Sequence, residues 1–227
     1  MSISRRGLLL GMTALLAGCS ASGGSHRSNY AAIPDEPYPL KAIPFDKIKP
    51  DLRRQEVAYE GGYAAGTIVV DTPARRLYYV LGGGRAMRYG IGVGRNGYAL
   101  RGSARIGRKA EWPTWTPTGN MMRRDPRNLR YAGGMSPGLH NPLGARALYL
   151  YQGSRDTMFR IHGTNQPWSI GLNLSSGCIR MMNKDVEHLY ARAGLGTKVI
   201  VVGPGNRQGK VQYTDRGVDF FGSLFGG

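Results

Sequence analysis

Two side chains in this sequence have the types and spacing for joint covalent chemistry: the thiol of Cys178 and the imidazole of His162, sixteen residues earlier. The thiolate is the nucleophile, and an imidazole beside it favours that form through an ion pair. The run Asn173-Leu174-Ser175-Ser176-Gly177-Cys178-Ile179-Arg180-Met181 sets the thiol after small residues, which let a substrate carbonyl approach the backbone. The β-branched Ile179 then begins another extended segment. His162 ends an extended run and precedes Gly163, so its ring can reach a thiol on a following loop. Spacing alone leaves other readings open. A lone cysteine is most often a small buried hydrophobe, and a lone histidine a satisfied core residue. One Cys and one His fall short of the ligand count that zinc requires, so no metal and no cofactor is expected.

The elements that must hold these residues are short strands. The chain has 227 residues, is 41% hydrophobic and carries 35 Gly and 13 Pro. That composition argues against a helical bundle and for strands joined by tight turns. Residues 67–71 and 76–81 form a predicted hairpin around Thr72-Pro73-Ala74-Arg75, with Gly82-Gly83-Gly84 as the next turn. Further strands are predicted over 85–93, 147–151, 157–162 and 197–202. One good helix is predicted over 184–193, where Val186, Leu189, Tyr190 and Ala193 share a face, Asn183 caps the start and Gly194 the end. The expected class is mainly β.

Both ends of the chain read differently. Arg5-Arg6 followed by a short apolar run is a leader pattern too short to span a bilayer, and Leu16-Ala17-Gly18-Cys19 resembles a bacterial lipobox. The expectation is a signal peptide over 1–18, lipidation of Cys19, and a flexible Ser/Gly/Pro-rich tether over 19–60. The domain then covers 61–203 and a Gly-rich tail 204–227. With only two cysteines, a lipidated Cys19 leaves Cys178 without a disulfide partner, and a free thiol in an exported protein needs a reason. The predicted location is the periplasmic face of the cell envelope, anchored in the outer membrane. The formal charge of +17 attracts polyanions, but no nucleic-acid recognition motif is present, so anionic wall polymer or a membrane surface is the expected partner and nucleic acid is not.

At the reactive residues the sequence resembles a known family. His162-Gly163-Thr164-Asn165, then Ser169-Ile170-Gly171, then Ser175-Ser176-Gly177-Cys178-Ile179-Arg180-Met181 resemble the active-site signature of the YkuD-type L,D-transpeptidases. Upstream, the stretch 141–150 is similar to one that many members carry. The resemblance runs from about residue 66 to 202 and implies a β-sandwich of mixed sheets with one short helix after the catalytic cysteine. It further implies a cysteine enzyme acting on peptidoglycan stem peptides. Cys178 would attack the carbonyl of the third stem residue, expel D-Ala and pass the acyl group to an amine of another stem. Outer-membrane proteins are the alternative acceptors, and water in place of an amine gives a carboxypeptidase. A non-catalytic wall-binding lipoprotein is a reading from another class.

By the same resemblance His162 activates the thiol and Gly163 supplies the carbonyl that orients its ring. The backbone N–H groups of Cys178 and Gly177 are the expected oxyanion donors. Arg180 holds a substrate carboxylate or braces the loop, and Ser175 shapes it. Some members carry His immediately before the Gly-Cys pair, where this chain has Ser176, so no second imidazole is assigned. His26, His140 and His188 are expected on the surface or in loops. The aromatic and Pro-rich stretch 112–118 is a candidate lid or stem-binding wall.

Overall fold

The computed structural model describes residues 29–94, 102–173 and 178–203. Its strands are β1 (Gln55–Ala58), β2 (Ile68–Asp71), β3 (Arg76–Gly82), β4 (Arg85–Gly90), β5 (Gly102–Glu111), β6 (Arg146–Gln152), β7 (Arg155–His162), β8 (Ile179–Arg180) and β9 (Lys198–Val202). Helix α1 (Gly119–Arg124) follows β5, and α2 (Asn183–Arg192) follows β8. The strands join in the order β1-β4-β3-β2-β9-β5-β6-β7-β8. The pairs β2–β9 and β7–β8 are parallel, and the other pairs are antiparallel. The mainly β class with mixed pairing and a helix after Cys178 is therefore present.

The two layers are wings of one continuous ladder. Gly92, just past β4, donates to the Arg180 carbonyl of β8 at 2.9 Å, and Arg180 donates back at 2.8 Å. The last strand thus returns to the chain leaving β4. One apolar cluster accordingly contains Ile68, Leu77 and Tyr89 from one wing and Leu148, Ile161 and Ile179 from the other, with Val186 and Leu189 of α2. Each of these aliphatic side chains contributes about 1.5–3 kcal/mol on burial. Period-2 alternation sorts the rest: Val69, Tyr78 and Val80 face the opposite side and pack under Tyr59.

Sequence patterning missed β5, which is ten residues long. Only its Ala104 and Ile106 are buried, so the apolar alternation is faint. Arg108 and Arg105 lie along the outer face of the sheet, 4.2 and 5.7 Å from the ring centres of Tyr149 and Tyr151, whereas Lys109, on the face of Ile106, lies 4.0 Å from the ring centre of Tyr190 on α2. The Arg and Lys stems take the place that apolar residues hold elsewhere.

The flexible tether expected over 19–60 requires correction for residues 29–60, which form a strap packed on the domain. Tyr30, Ile48 and Leu52 are buried together with Ile170 and Met182. Leu40 packs on Trp112 and Ala145. Glu36 accepts from Trp112 Nε1 at 2.7 Å and meets Arg146 Nη2 at 2.5 Å, with both side chains of the ion pair about nine-tenths buried. Proline and charge dominate this segment, but its widely spaced Tyr, Leu and Ile residues each find a socket, a pattern without helix or strand period. Residues 19–28, the leader and the tail from 204 lie outside the described residues.

Candidate active site

Parallel pairing of β7 with β8 brings the reactive residues together. The register sets Ile161 opposite Ile179 and His162 opposite Arg180, and Met181 N donates to the His162 carbonyl at 2.8 Å. Cys178, immediately before β8, therefore lies beside the end of β7. Its Sγ is 3.9 Å from the carbonyl oxygen of Met158. Met158 adopts φ 64°, where a side chain other than glycine costs about 1–2 kcal/mol. The Asp156 carboxylate holds that conformation by accepting from Met158 N at 2.8 Å.

His162 is buried, and its Nδ1 is 2.6 Å from the Gly163 carbonyl oxygen. A carbonyl can only accept, so Nδ1 carries the proton and the lone pair of the neutral ring sits on Nε2. His162, Cys178 and the half-buried Arg180 line one cavity of about 760 Å³, with Pro142, Leu143 and Phe159 among its apolar walls.

Asn183 organises the loops around the imidazole. The sequence suggested it as the helix cap, but Met182 holds that position without a side-chain bond, and Asn183 is the first residue of α2. Its Oδ1 instead accepts from Ala145 N at 3.1 Å and Thr164 N at 3.0 Å, tying the entry to β6 to the exit from β7. A methyl group on Gly144 or Gly163 would collide with that oxygen, and Gly144 also has φ 64°. Glycine is required at both positions. Asn141, buried, performs a second tie: its Nδ2 contacts the carbonyls of Pro113, Met135 and Ser136, and its Oδ1 accepts from Leu143 N at 2.9 Å.

The electrostatics oppose a resting ion pair. Burial pushes the Cys178 thiol above its ordinary value, although the Arg160 backbone and the Arg160 and Arg180 charges pull it down. Burial, followed by the Arg180 charge, lowers His162 to about 4, against the opposing backbone hydrogen bonds to Gly163 and Leu143. Both shifts run toward the uncharged forms and against a resting thiolate–imidazolium pair. Proton transfer then accompanies attack. Arg160 is held for its part by bidentate contact with Asp156 at 2.7 and 2.9 Å and stacks 4.3 Å from the Tyr149 ring centre.

Of the residues singled out from sequence, Cys178, His162, Gly163 and Arg180 converge. Ser175, Ser176, Gly177 and Cys19 lie outside the described residues. The 112–118 stretch divides: Trp115 and Thr118 line the cavity, whereas Trp112 is buried against the strap. His140 is exposed as expected. His188 is instead partly buried, 2.8 Å from Tyr89 Oη, and burial lowers it to about 3. Met158, Arg160 and Asn183 were missed as site residues, since tertiary contacts reveal them, although a lone Asn heading a helix was a usable signal for Asn183.

The aligned parts of two relatives are the "Probable L,D-transpeptidase ErfK/SrfK" of Salmonella typhimurium, 34% identical over 139 residues, and the "Probable L,D-transpeptidase YbiS" of Escherichia coli, 35% identical over 140 residues. These alignments cover 60% and 58% of this chain but only 43% of each relative, so the chain spans less than half the length of either. A solved structure from Brucella melitensis, described as a probable carnitine operon oxidoreductase, is 51% identical and covers 68% of this chain and 96% of its own, at a TM-score of 0.49. A superposition of that quality carries no argument about this chain. The family described as the L,D-transpeptidase catalytic domain, YkuD, matches residues 65–201, which include β2 to β8, all but the last residue of β9, and both residues of the thiol–imidazole pair. The chain belongs to the YkuD family, that of the L,D-transpeptidase catalytic domain.

Proposed function

We propose that this protein is an L,D-transpeptidase acting on peptidoglycan stem peptides through a thioester on Cys178. The observation that carries the reading is a single cavity lined by Cys178 and by an imidazole whose Nδ1 is committed to Gly163. As the donor carbonyl of the third stem residue approaches, Nε2 of His162 takes the thiol proton and Sγ forms a bond to the carbonyl carbon. Collapse of the tetrahedral intermediate breaks the C–N bond to the terminal D-Ala, and His162 returns the proton to the leaving amine. An amine of another stem then attacks the thioester and regenerates the thiol. The uncharged forms that burial favours suit this order, since a neutral base is free to accept the proton. The backbone N–H groups of Cys178 and Gly177 are the donors for that charge, and loss of one such donor typically costs about 3 kcal/mol of barrier.

Anchoring through Cys19 at the outer membrane completes the proposal and places the domain beside its substrate. Cys19→Ala tests it: a processed variant retained on membranes like the parent sinks the anchor. The activity is tested by incubating the protein with tetrapeptide muropeptides and following mass. D-Ala release with cross-linked dimers is expected; tripeptides alone identify a carboxypeptidase, and unchanged tetrapeptides overturn the reading.

A further inference from the structure

The cavity that holds the thiol has a second chemical feature. Helix α1 and the turn after it contribute Arg123, Arg124 and Asp125 to its wall, and Arg180 joins them from β8. The Asp125 charge is already used: both carboxylate oxygens are 2.9 Å from the Arg127 guanidinium, which points away into solvent and lowers the Asp125 pKa. Burial biases His162 and Cys178 toward their uncharged forms there. Among the described residues the lining therefore includes the guanidinium groups of Arg123, Arg124 and Arg180, and its carboxylate, Asp125, is paired with Arg127. Arg123 meets Asn120 Oδ1 within the helix and keeps further N–H donors.

The segment carrying these arginines is firmly founded. Thr118 Oγ1 caps α1 by accepting from Met121 N at 3.3 Å. Trp115 exchanges two backbone bonds with Met135, at 3.0 and 2.6 Å, and stacks edge-on with Tyr131. Basic residues at a helix end also complement the helix dipole, but that role needs no cavity and leaves no selectivity. Guanidinium in a partly enclosed site recognises carboxylate by paired charge-assisted hydrogen bonds, and a carboxamide, which is uncharged, cannot replace it.

We infer that Arg123 and Arg124 form an anion-reading wall of the donor pocket, which selects stem peptides whose side-group carboxylates are free over those in which they are amidated. The inference rests on the stem-peptide reading above and adds specificity to it. It concerns carboxylates on the side groups of the stem, which take no part in the scissile bond.

The test separates the two readings. The full chain carrying Cys178→Ala is titrated calorimetrically with a tetrapeptide stem bearing free side-group carboxylates and with its counterpart in which they are carboxamides. Free acid should bind on the order of tenfold tighter or better, consistent with charge-assisted hydrogen bonds. Arg123→Gln with Arg124→Gln should erase the preference, and Arg123→Lys with Arg124→Lys should restore part of it. Equal binding of acid and amide, or a preference unchanged in the glutamine variant, overturns the inference. Turnover of both stems at equal KM by the native protein overturns the inference alone, leaving the L,D-transpeptidase reading intact. Absence of both binding and turnover overturns both.

Discussion

The Nδ1 of His162 lies 2.6 Å from the carbonyl oxygen of Gly163, its neighbour in the chain. A residue that orients the ring of the one before it needs no distant partner, so the tautomer is built into the backbone turn at the end of β7. What is distant is the acceptor for the Gly163 loop itself, Asn183 on α2, which fixes where that turn sits.

The neutral resting pair has a measurable signature. Because the Cys178 thiol is raised above its ordinary value and His162 is lowered to about 4, the thiolate fraction stays small at neutral pH and grows as pH rises. The rate of Cys178 alkylation by iodoacetamide should climb through pH 9. A plateau reached below pH 7 shows a preformed ion pair instead. Acylation by a carbapenem-type β-lactam should give a one-to-one adduct, and His162→Ala should slow it by about 10²–10⁴-fold, the range for loss of a positioned acid–base group.

Asn183→Ala leaves the N–H groups of Ala145 and Thr164 without their shared acceptor. Each unsatisfied buried donor costs about 1–3 kcal/mol. The variant should lose at least 2 kcal/mol in urea unfolding by that principle, and its residual activity should fall in kcat as the imidazole loses its position. Stability within a few tenths of the parent refutes the tie.

The strap predicts that a chain beginning at residue 61 is poorly stable, since it uncovers the sockets of Tyr30, Ile48 and Leu52. Glu36→Ala removes the close partner of the buried Arg146, which keeps only the exposed Glu111 at 3.9 Å, and should cost up to about 3–5 kcal/mol, the usual penalty for breaking a buried pair. Thermal unfolding of chains beginning at residues 29 and 61 measures the first effect. Equal midpoints return this segment to the role of a tether.

Asp185 is fully buried in α2, where burial raises its pKa to about 7 against the opposing Arg54 charge. Its folded pKa exceeds the unfolded value near 3.8, so the folded state binds the extra proton between these values. The contribution of this carboxyl is therefore favourable at low pH and is lost as pH rises through about 7. Asp185→Asn, which cannot ionise, should gain stability relative to the parent between pH 5 and pH 8.5. Denaturation curves at those two values check it, and an unchanged difference counts against the raised pKa.

Much of the site was legible from residue order. The hairpin of β2 and β3 followed from alternation about a four-residue turn, and both were found as Ile68–Asp71 and Arg76–Gly82. The helix found at Asn183–Arg192 matched its apolar spacing, because Val186, Leu189 and Ala193 do reach the core. The strap failed the same method because isolated anchors separated by proline leave no period to detect. Strand β5 failed because its burial is supplied by the stems of Arg and Lys lying on tyrosines.

The sequence by itself determined the chemical parts: a thiol among small residues, an imidazole before a glycine, and the motif order that marks the family. Those are local properties, carried by side-chain type and near-neighbour geometry. Only the tertiary structure decided the desolvation of the pair, the arginine content of the cavity and the role of Asn183. Burial and charge depend on residues far apart in the chain, brought together by the parallel register of β7 with β8, and desolvation cannot be read before that packing exists.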